Sequence, residues 1–81
     1  MKKVYLIREA KEEFGIDEQR VVHYIHNEWI APVEPSRLDE EDIARARLIT
    51  ELQEVFGVND EAVPIILHLL DQLYSQQSVK H

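Results

Sequence analysis

Cysteine is absent from this 81-residue chain. Its absence excludes disulfide frameworks, thiolate metal sites and cysteine catalysis. Small secreted domains usually depend on such staples, so a reducing, cytoplasmic setting is expected. Glycine is nearly absent too, with only Gly15 and Gly57. Two isolated glycines cannot build a phosphate-cradling loop. No segment reaches the roughly 20 apolar residues of a membrane span. The basic start, Met1 to Arg8, carries an apolar run of four residues, Val4 to Ile7, well short of the ~7–15 of a signal core. Basic charge is scarce: nine Lys and Arg face sixteen Asp and Glu, a net charge of −7. No third of the chain is net basic, and little is on offer for phosphate neutralisation, the main source of non-specific DNA affinity. The balance points towards basic protein partners.

What is present is a pattern of short helices. A chain this small forms one domain and buries only about 60–65% of its unfolded surface. Leu6, Ala10 and Phe14 stand at i, i+4 and i+8, predicting a first helix over about residues 5–14. Gly15 stands where a left-handed residue ends a helix. Asp17 has the place of an N-cap for a second helix over about 17–29, striped by Val21, Val22, Tyr24, Ile25 and Trp29. Helix, short glycine turn and helix make the helix-turn-helix pattern. From Ala31 to Leu38 two prolines forbid a helix; the segment is either a loop or a short two-stranded wing. A third helix is expected over about 39–56. Asp39 and Asp42 form its capping box, acids fill its first turn, and Leu48, Ile49, Leu52, Val55 and Phe56 make its stripe. Gly57 ends it. A fourth helix over about 60–76 is capped by Asn59 or Asp60, with Pro64 near its first turn. Residues 75–81 are polar and expected to fray. Four helices make the expected fold class all-α.

The fourth helix is apolar over more than half its circumference, from Ile65 to Tyr74. One side of a small domain does not need that much. The excess implies a second contact, either with the first two helices at a sharp crossing or with another copy of the chain.

Signals for chemistry are weak. His23 and His26 are three apart on the second helix, as are His68 and Asp71 on the fourth. A metal site needs a third ligand, and no spacing fixes one; these read as polar helix positions, and His81 is terminal. Ser36, Ser75 and Ser78 have no nucleophile-elbow context. The many carboxylates fall on solvent-facing positions, whereas catalytic ones need burial or a charged neighbour. No enzyme and no cofactor are expected. For DNA reading, the candidates are Arg8, Lys11, Gln19, Arg20 and Arg37, but Asp17 and Glu18 at the start of the second helix would face the phosphates.

Several segments carry a resemblance. Arg20 to Tyr24 followed by Trp29-Ile30-Ala31-Pro32, then Arg37 to Ile43, is similar to the MerR-type helix-turn-helix fold. Val33-Glu34-Pro35, Gly57-Val58-Asn59 through Pro64, and Leu69-Leu70-Asp71-Gln72-Leu73 resemble the CbpM-type chaperone modulators within that family, over nearly the whole chain. The N-terminal lead is short and no long charged tail follows the last helix, which are departures. The resemblance implies a protein that binds the J-domain of a DnaJ/CbpA-like co-chaperone and inhibits its stimulation of Hsp70. J-domains present a basic helix, and an acidic module is its charge complement. The expected partner-binding residues are Asp39, Glu40, Glu41 and Asp42, with Glu12, Glu13, Asp17 and Glu18. Tyr24, Trp29 and Tyr74 are the candidate apolar anchors, since exposed ion pairs contribute only about 0–1 kcal/mol each. The alternative is a MerR-like DNA-binding regulator using the basic residues named above. Either reading allows a homodimer through the fourth helix.

Overall fold

A computed structural model describes residues 3–34 and 36–79. The order of elements is β1 (Val4–Leu6), α1 (Ile7–Phe14), α2 (Glu18–His26), β2 (Arg37–Asp39), α3 (Glu40–Glu54) and α4 (Val63–Val79). The described residues are mostly helical, with four helices and one two-stranded antiparallel sheet.

The sheet departs from the sequence expectation twice. The first helix does not begin near residue 5. Val4, Tyr5 and Leu6 are extended and pair with β2 in the register Val4↔Asp39, Tyr5↔Leu38 and Leu6↔Arg37. These three residues have strand-favouring side chains, and their partner lies far along the chain, so helical periodicity gave no sign of it. Nor are the two strands a wing between the second and third helices. Among the described residues of that loop there is an isolated bridge, Glu34↔Arg37, closed by the Arg37 N–H on the Glu34 carbonyl at 3.3 Å. Pro35, part of the expected wing, and His81, at the expected frayed end, lie outside the described residues.

Each helix ends where local chemistry stops it. The Glu9 carboxylate accepts from the Leu6 N–H at 2.7 Å and opens α1. Gly15, at φ 71°, closes it through its N–H on the Lys11 carbonyl. Asp17 occupies the N-cap of α2 without a side-chain cap bond. That helix stops at His26, three residues short of expectation, because Glu28 turns left-handed at φ 63° and the Trp29 N–H closes back onto the Tyr24 carbonyl. α3 opens on the expected capping box: Asp39 Oδ1 accepts from the Asp42 N–H at 2.8 Å and Asp42 Oδ2 from the Asp39 N–H at 3.0 Å. Gly57, at φ 68°, ends the segment, and the Val58 N–H reaches the Leu52 carbonyl in a six-residue closure. Asn59 caps the next turn through its side chain on the Ala62 N–H; Asp60 does not. Pro64 falls in the first turn of α4. That helix continues to Val79, past the point where fraying was expected.

The core lies between β2 and the four helices. Its fully buried centre is Tyr24, Ile30, Leu38, Ile49, Val21 and Val63. Ala10 and Ala46, without exposed surface, supply close approach for α1 and α3. Ile16, in the three-residue turn between α1 and α2, is also buried and pins that turn. The stripe of α3 is Ile43, Ala46 and Ile49, with Leu48 and Leu52 half-buried. Val55 and Phe56, expected to extend it, are 67% and 69% exposed because the helix has already unwound there. Tyr24 is satisfied in the interior by a short relay. Arg20 Nη1 donates to its hydroxyl at 3.3 Å, its hydroxyl lies 2.8 Å from Thr50 Oγ1, and Thr50 donates to the Ala46 carbonyl at 2.9 Å. Since the single Thr50 hydroxyl proton is so engaged, Tyr24 is the donor to Thr50.

Candidate functional site: an acid-rimmed groove

Arg45 shapes a wide concavity. It rises from the second turn of α3 beside the core residue Ala46. Its Nε donates to the Trp29 carbonyl at 2.6 Å, and its Nη1 and Nη2 donate to the two carboxylate oxygens of Asp71, each at 3.1 Å. One side chain thus ties the turn after α2 to α3 and α4. A planar guanidinium suits this task, since its fork matches a carboxylate and still leaves a donor for a carbonyl. The Arg45 hydrogen bonds hold the Asp71 carboxyl below its ordinary value.

The three elements so fixed enclose an open groove of about 920 Å³. Leu48, Leu67, Leu70 and Tyr74 contribute its apolar lining, and Glu28, Glu41 and Asp42 line it beside the Arg45–Asp71 pair. Trp29 borders it but is only 6% exposed, packed against Tyr24 at 5.7 Å and edge-on to His23 at 5.4 Å between ring centroids. Burial raises the Asp42 carboxyl above its usual value, and the nearby Asp39 and Glu41 charges act in the same direction, against the lowering effect of the Asp39 N–H bond.

The expected site residues divide among separate places. Glu41, Asp42 and Trp29 meet in this groove. Glu40 is exposed one position before them. Asp39 is committed to the helix cap. Glu12 and Glu13 border a shallow depression with Lys3 and Tyr5. Asp17 belongs to a third place, beside Gln19, Arg20 and His23, and Glu18 is exposed at the start of α2. Tyr24 has no exposed surface, so it packs the interior and is out of reach of a partner. Tyr74, 63% exposed on the groove wall, remains the accessible aromatic.

Two of the basic residues considered for DNA have carboxylate partners. Arg20 Nη2 pairs with Glu54 at 2.8 Å, and Arg37 Nε lies 3.6 Å from Glu34. Arg8 and Lys11 are exposed on α1, interleaved with Glu9, Glu12 and Glu13. His23 and His26 stand in different surroundings. His23 Nε2 contacts Asp60 Oδ2 at 2.8 Å, where Gln53 also donates to Asp60 at 2.7 Å. These bonds, Gln53 first, lower the Asp60 carboxyl. His26 instead borders a smaller groove of about 550 Å³ with Ile7, Val22, Ile25 and Val33. Among the described residues no group of three His, Asp or Glu side chains is placed to hold a metal ion, and no helix is long and apolar enough to cross a membrane.

Arg45 and Glu28 are the groove residues that sequence reasoning missed. The partners of Arg45 are sixteen and twenty-six positions away, so no helical spacing reveals them. The signal for Glu28 was faint: an acid directly before a tryptophan at an expected helix end.

Comparison with known proteins adds no relative: no family model, no curated protein and no solved structure matches this chain.

Proposed function

We propose that this chain is a non-catalytic, cytoplasmic chaperone modulator of the CbpM type on a MerR-like fold, binding the J-domain of a DnaJ/CbpA-like co-chaperone and inhibiting its stimulation of Hsp70. The observation that carries the reading is the groove between α3 and α4, whose lining combines Leu48, Leu67, Leu70 and Tyr74 with the acids Glu28, Glu41 and Asp42. An amphipathic helix with basic residues along one edge is complementary to that arrangement. Its apolar side meets the leucines and Tyr74, which supply affinity. Its lysines and arginines meet the carboxylates, which supply orientation and rate. The sequence resemblance and the net charge of −7 agree with it.

The alternative, a DNA-binding regulator, needs Arg20 and Arg37 available to bases or phosphates. Both have carboxylate partners, and the acids around Arg8 and Lys11 oppose a phosphate backbone.

Calorimetric titration with the J-domains of the host's own co-chaperones, at low and high salt, tests the proposal. Binding that weakens with salt is expected. The double substitution Glu28→Lys, Glu41→Lys should weaken it about tenfold or more, while Glu12→Lys, Glu13→Lys, outside the groove lining, should change it little. Asp39 and Asp42 are unsuitable for this purpose, because they hold the start of α3. Absence of binding to every J-domain tried removes the reading.

A further inference from the structure

Past the end of α3 the chain keeps two large apolar side chains in solvent. Val55 and Phe56 are 67% and 69% exposed. The exposure does not come from fraying. The Val55 N–H bonds to the Glu51 carbonyl at 2.8 Å, and the Val58 N–H closes onto the Leu52 carbonyl at 3.0 Å. Asp60 is held by His23 at 2.8 Å and by Gln53 at 2.7 Å, and Asn59 caps the turn that follows. A braced turn therefore presents the pair, so little entropy is lost when a partner covers it.

The pair also continues the groove. Glu41, Arg45 and Leu48 line the groove at i, i+4 and i+7. Leu52, half-buried at i+11, and Val55 at i+14 carry on the same side of the helix. Val55 still has helical torsions, φ −91° and ψ −42°. Phe56 stands beside it at the end of the row. The span from 41 to 55 is about 21 Å, or about four turns. Charge says what covers this row. Glu41 and Asp42 stand at its start, and Glu51, Glu54, Asp60 and Glu61 are exposed around its tip. No Lys or Arg occurs from 48 to 79. Arg20 reaches the tip from α2 and is paired with Glu54. An anionic lipid surface, or a second copy carrying −7, is repelled at such a tip, whereas a basic helix is drawn to it.

We propose that Val55 and Phe56 form the far end of a docking surface for a basic amphipathic helix, which lies along the row from Glu41 and Asp42 to Phe56. The inference rests on the J-domain reading for the identity of the partner, and it adds what the partner's helix must carry. That helix is at least about 14 residues long. Its apolar residues recur at spacings of three and four over the whole length, and one of them packs on the Phe56 ring. Lys or Arg residues flank them at both ends.

The test is calorimetric titration of the full chain with the J-domains of the host's co-chaperones, repeated for Phe56→Ala, for Leu69→Ala and for the pair Glu51→Lys, Glu61→Lys. Phe56→Ala should weaken binding about tenfold and leave the melting profile unchanged, since the ring is exposed. Leu69→Ala, similarly exposed at 58% but outside the groove lining, should change binding by less than about twofold. The charge pair probes the same end without touching the apolar side chains, and it should weaken binding mainly at low salt. If Phe56→Ala and the charge pair both bind as the parent does, the tip lies outside the interface and the proposal falls while the groove reading stands. Equal losses for Phe56→Ala and Leu69→Ala overturn it too, because exposure alone then accounts for them. A parent that binds no J-domain removes the groove reading and this extension together. Sedimentation of the protein alone reads the other occupant: self-association that Phe56→Ala abolishes gives the tip to a second copy and overturns the proposal.

Discussion

α3 and α4 are neighbours of similar length and opposite construction. α3 is rich in charge, opens on a reciprocal cap, and sends Ile43, Ala46 and Ile49 into the core. Three of its other side chains are engaged: Arg45 with Trp29 and Asp71, Thr50 with Tyr24, Glu54 with Arg20. α4 has a single charged residue and a capped approach at Asn59. It places Val63 and Leu67 in the core and leaves Ile65, Leu69 and Leu73 largely exposed. The difference teaches how to separate framework from surface in a domain this small. On α3 the apolar residues are about as many as the core accepts. On α4 they exceed it, and the excess stays on the surface.

The sharpest way to break this comparison is to truncate one leucine-sized side chain on each helix. Ile49 has no exposed surface. Ile49→Ala should cost about 3 kcal/mol through lost transfer energy and an unfilled cavity, a large part of the stability of an 81-residue domain. Leu69→Ala should cost less than about 0.5 kcal/mol in the monomer. Denaturant titrations of both variants, made at concentrations where the protein is monomeric, check the contrast. Equal losses would mean that α4 is as much framework as α3.

Arg45→Ala comes next in size. It removes a charge-assisted bond to the Trp29 carbonyl and the fork on Asp71. The side chains of the Arg45–Asp71 pair are 33% and 54% exposed, so solvent screening limits what the ion pair itself contributes. The expected loss is about 1–2 kcal/mol, most of it from the carbonyl bond. Hydrogen exchange should rise along α4 beyond Leu67 more than along α3, because Arg45 is the polar clamp that joins them. Uniform exchange changes would contradict a locally clamped helix.

Glu28→Gly should act in the opposite direction on stability. Glu28 is held at φ 63°, where an L side chain is strained and glycine is not. Relief of that strain should stabilise by about 0.5–1 kcal/mol. The same change deletes one groove carboxylate, so the variant should melt higher and bind a basic partner more weakly. Thermal melts and J-domain titration together read the two effects.

The pattern of what the sequence made legible follows the range of each interaction. Gly15, the Asp39–Asp42 capping box, Gly57 and Pro64 all stand where their local signatures placed them, because helix ends are governed by residues three or four apart. The strand Val4–Leu6 was hidden inside an apparent helical stripe, since Leu6 continues the i, i+4 spacing of Ala10 and Phe14 while its backbone pairs with Arg37. The early stop of α2 was hidden because Glu28 takes a conformation usually given to glycine. In the groove, the acids Glu41 and Asp42 were visible as a run, but the clamp that shapes the groove was not. Arg45 reads as one more helical arginine until the fold brings Asp71 to it. Composition alone gave the surplus of apolar residues on α4, though not which of them face outward.

The smallest expected effect is the dependence of the Arg45–Asp71 clamp on pH. The Asp71 carboxyl is held below its ordinary value by Arg45, so its contribution is present above the unfolded-state value of about 4 and is lost as pH falls through the lower, folded-state value. Because the pair is solvent-screened, a few tenths of a kcal/mol are at stake. Asp42 behaves oppositely. Its carboxyl is raised by burial and its acidic neighbours, so the strain of its ionised form is present at neutral pH and relieved on acidification. Thermal melts from neutral pH to about pH 3 should therefore fall less steeply for Asp71→Asn than for the parent, and more steeply for Asp42→Asn. Asn at position 42 keeps an acceptor for the Asp39 N–H, so the cap survives and the charge effect is isolated. If both variants track the parent across the range, neither the clamp on α4 nor the acid cluster on α3 carries measurable electrostatic energy, and the two helices differ in packing alone.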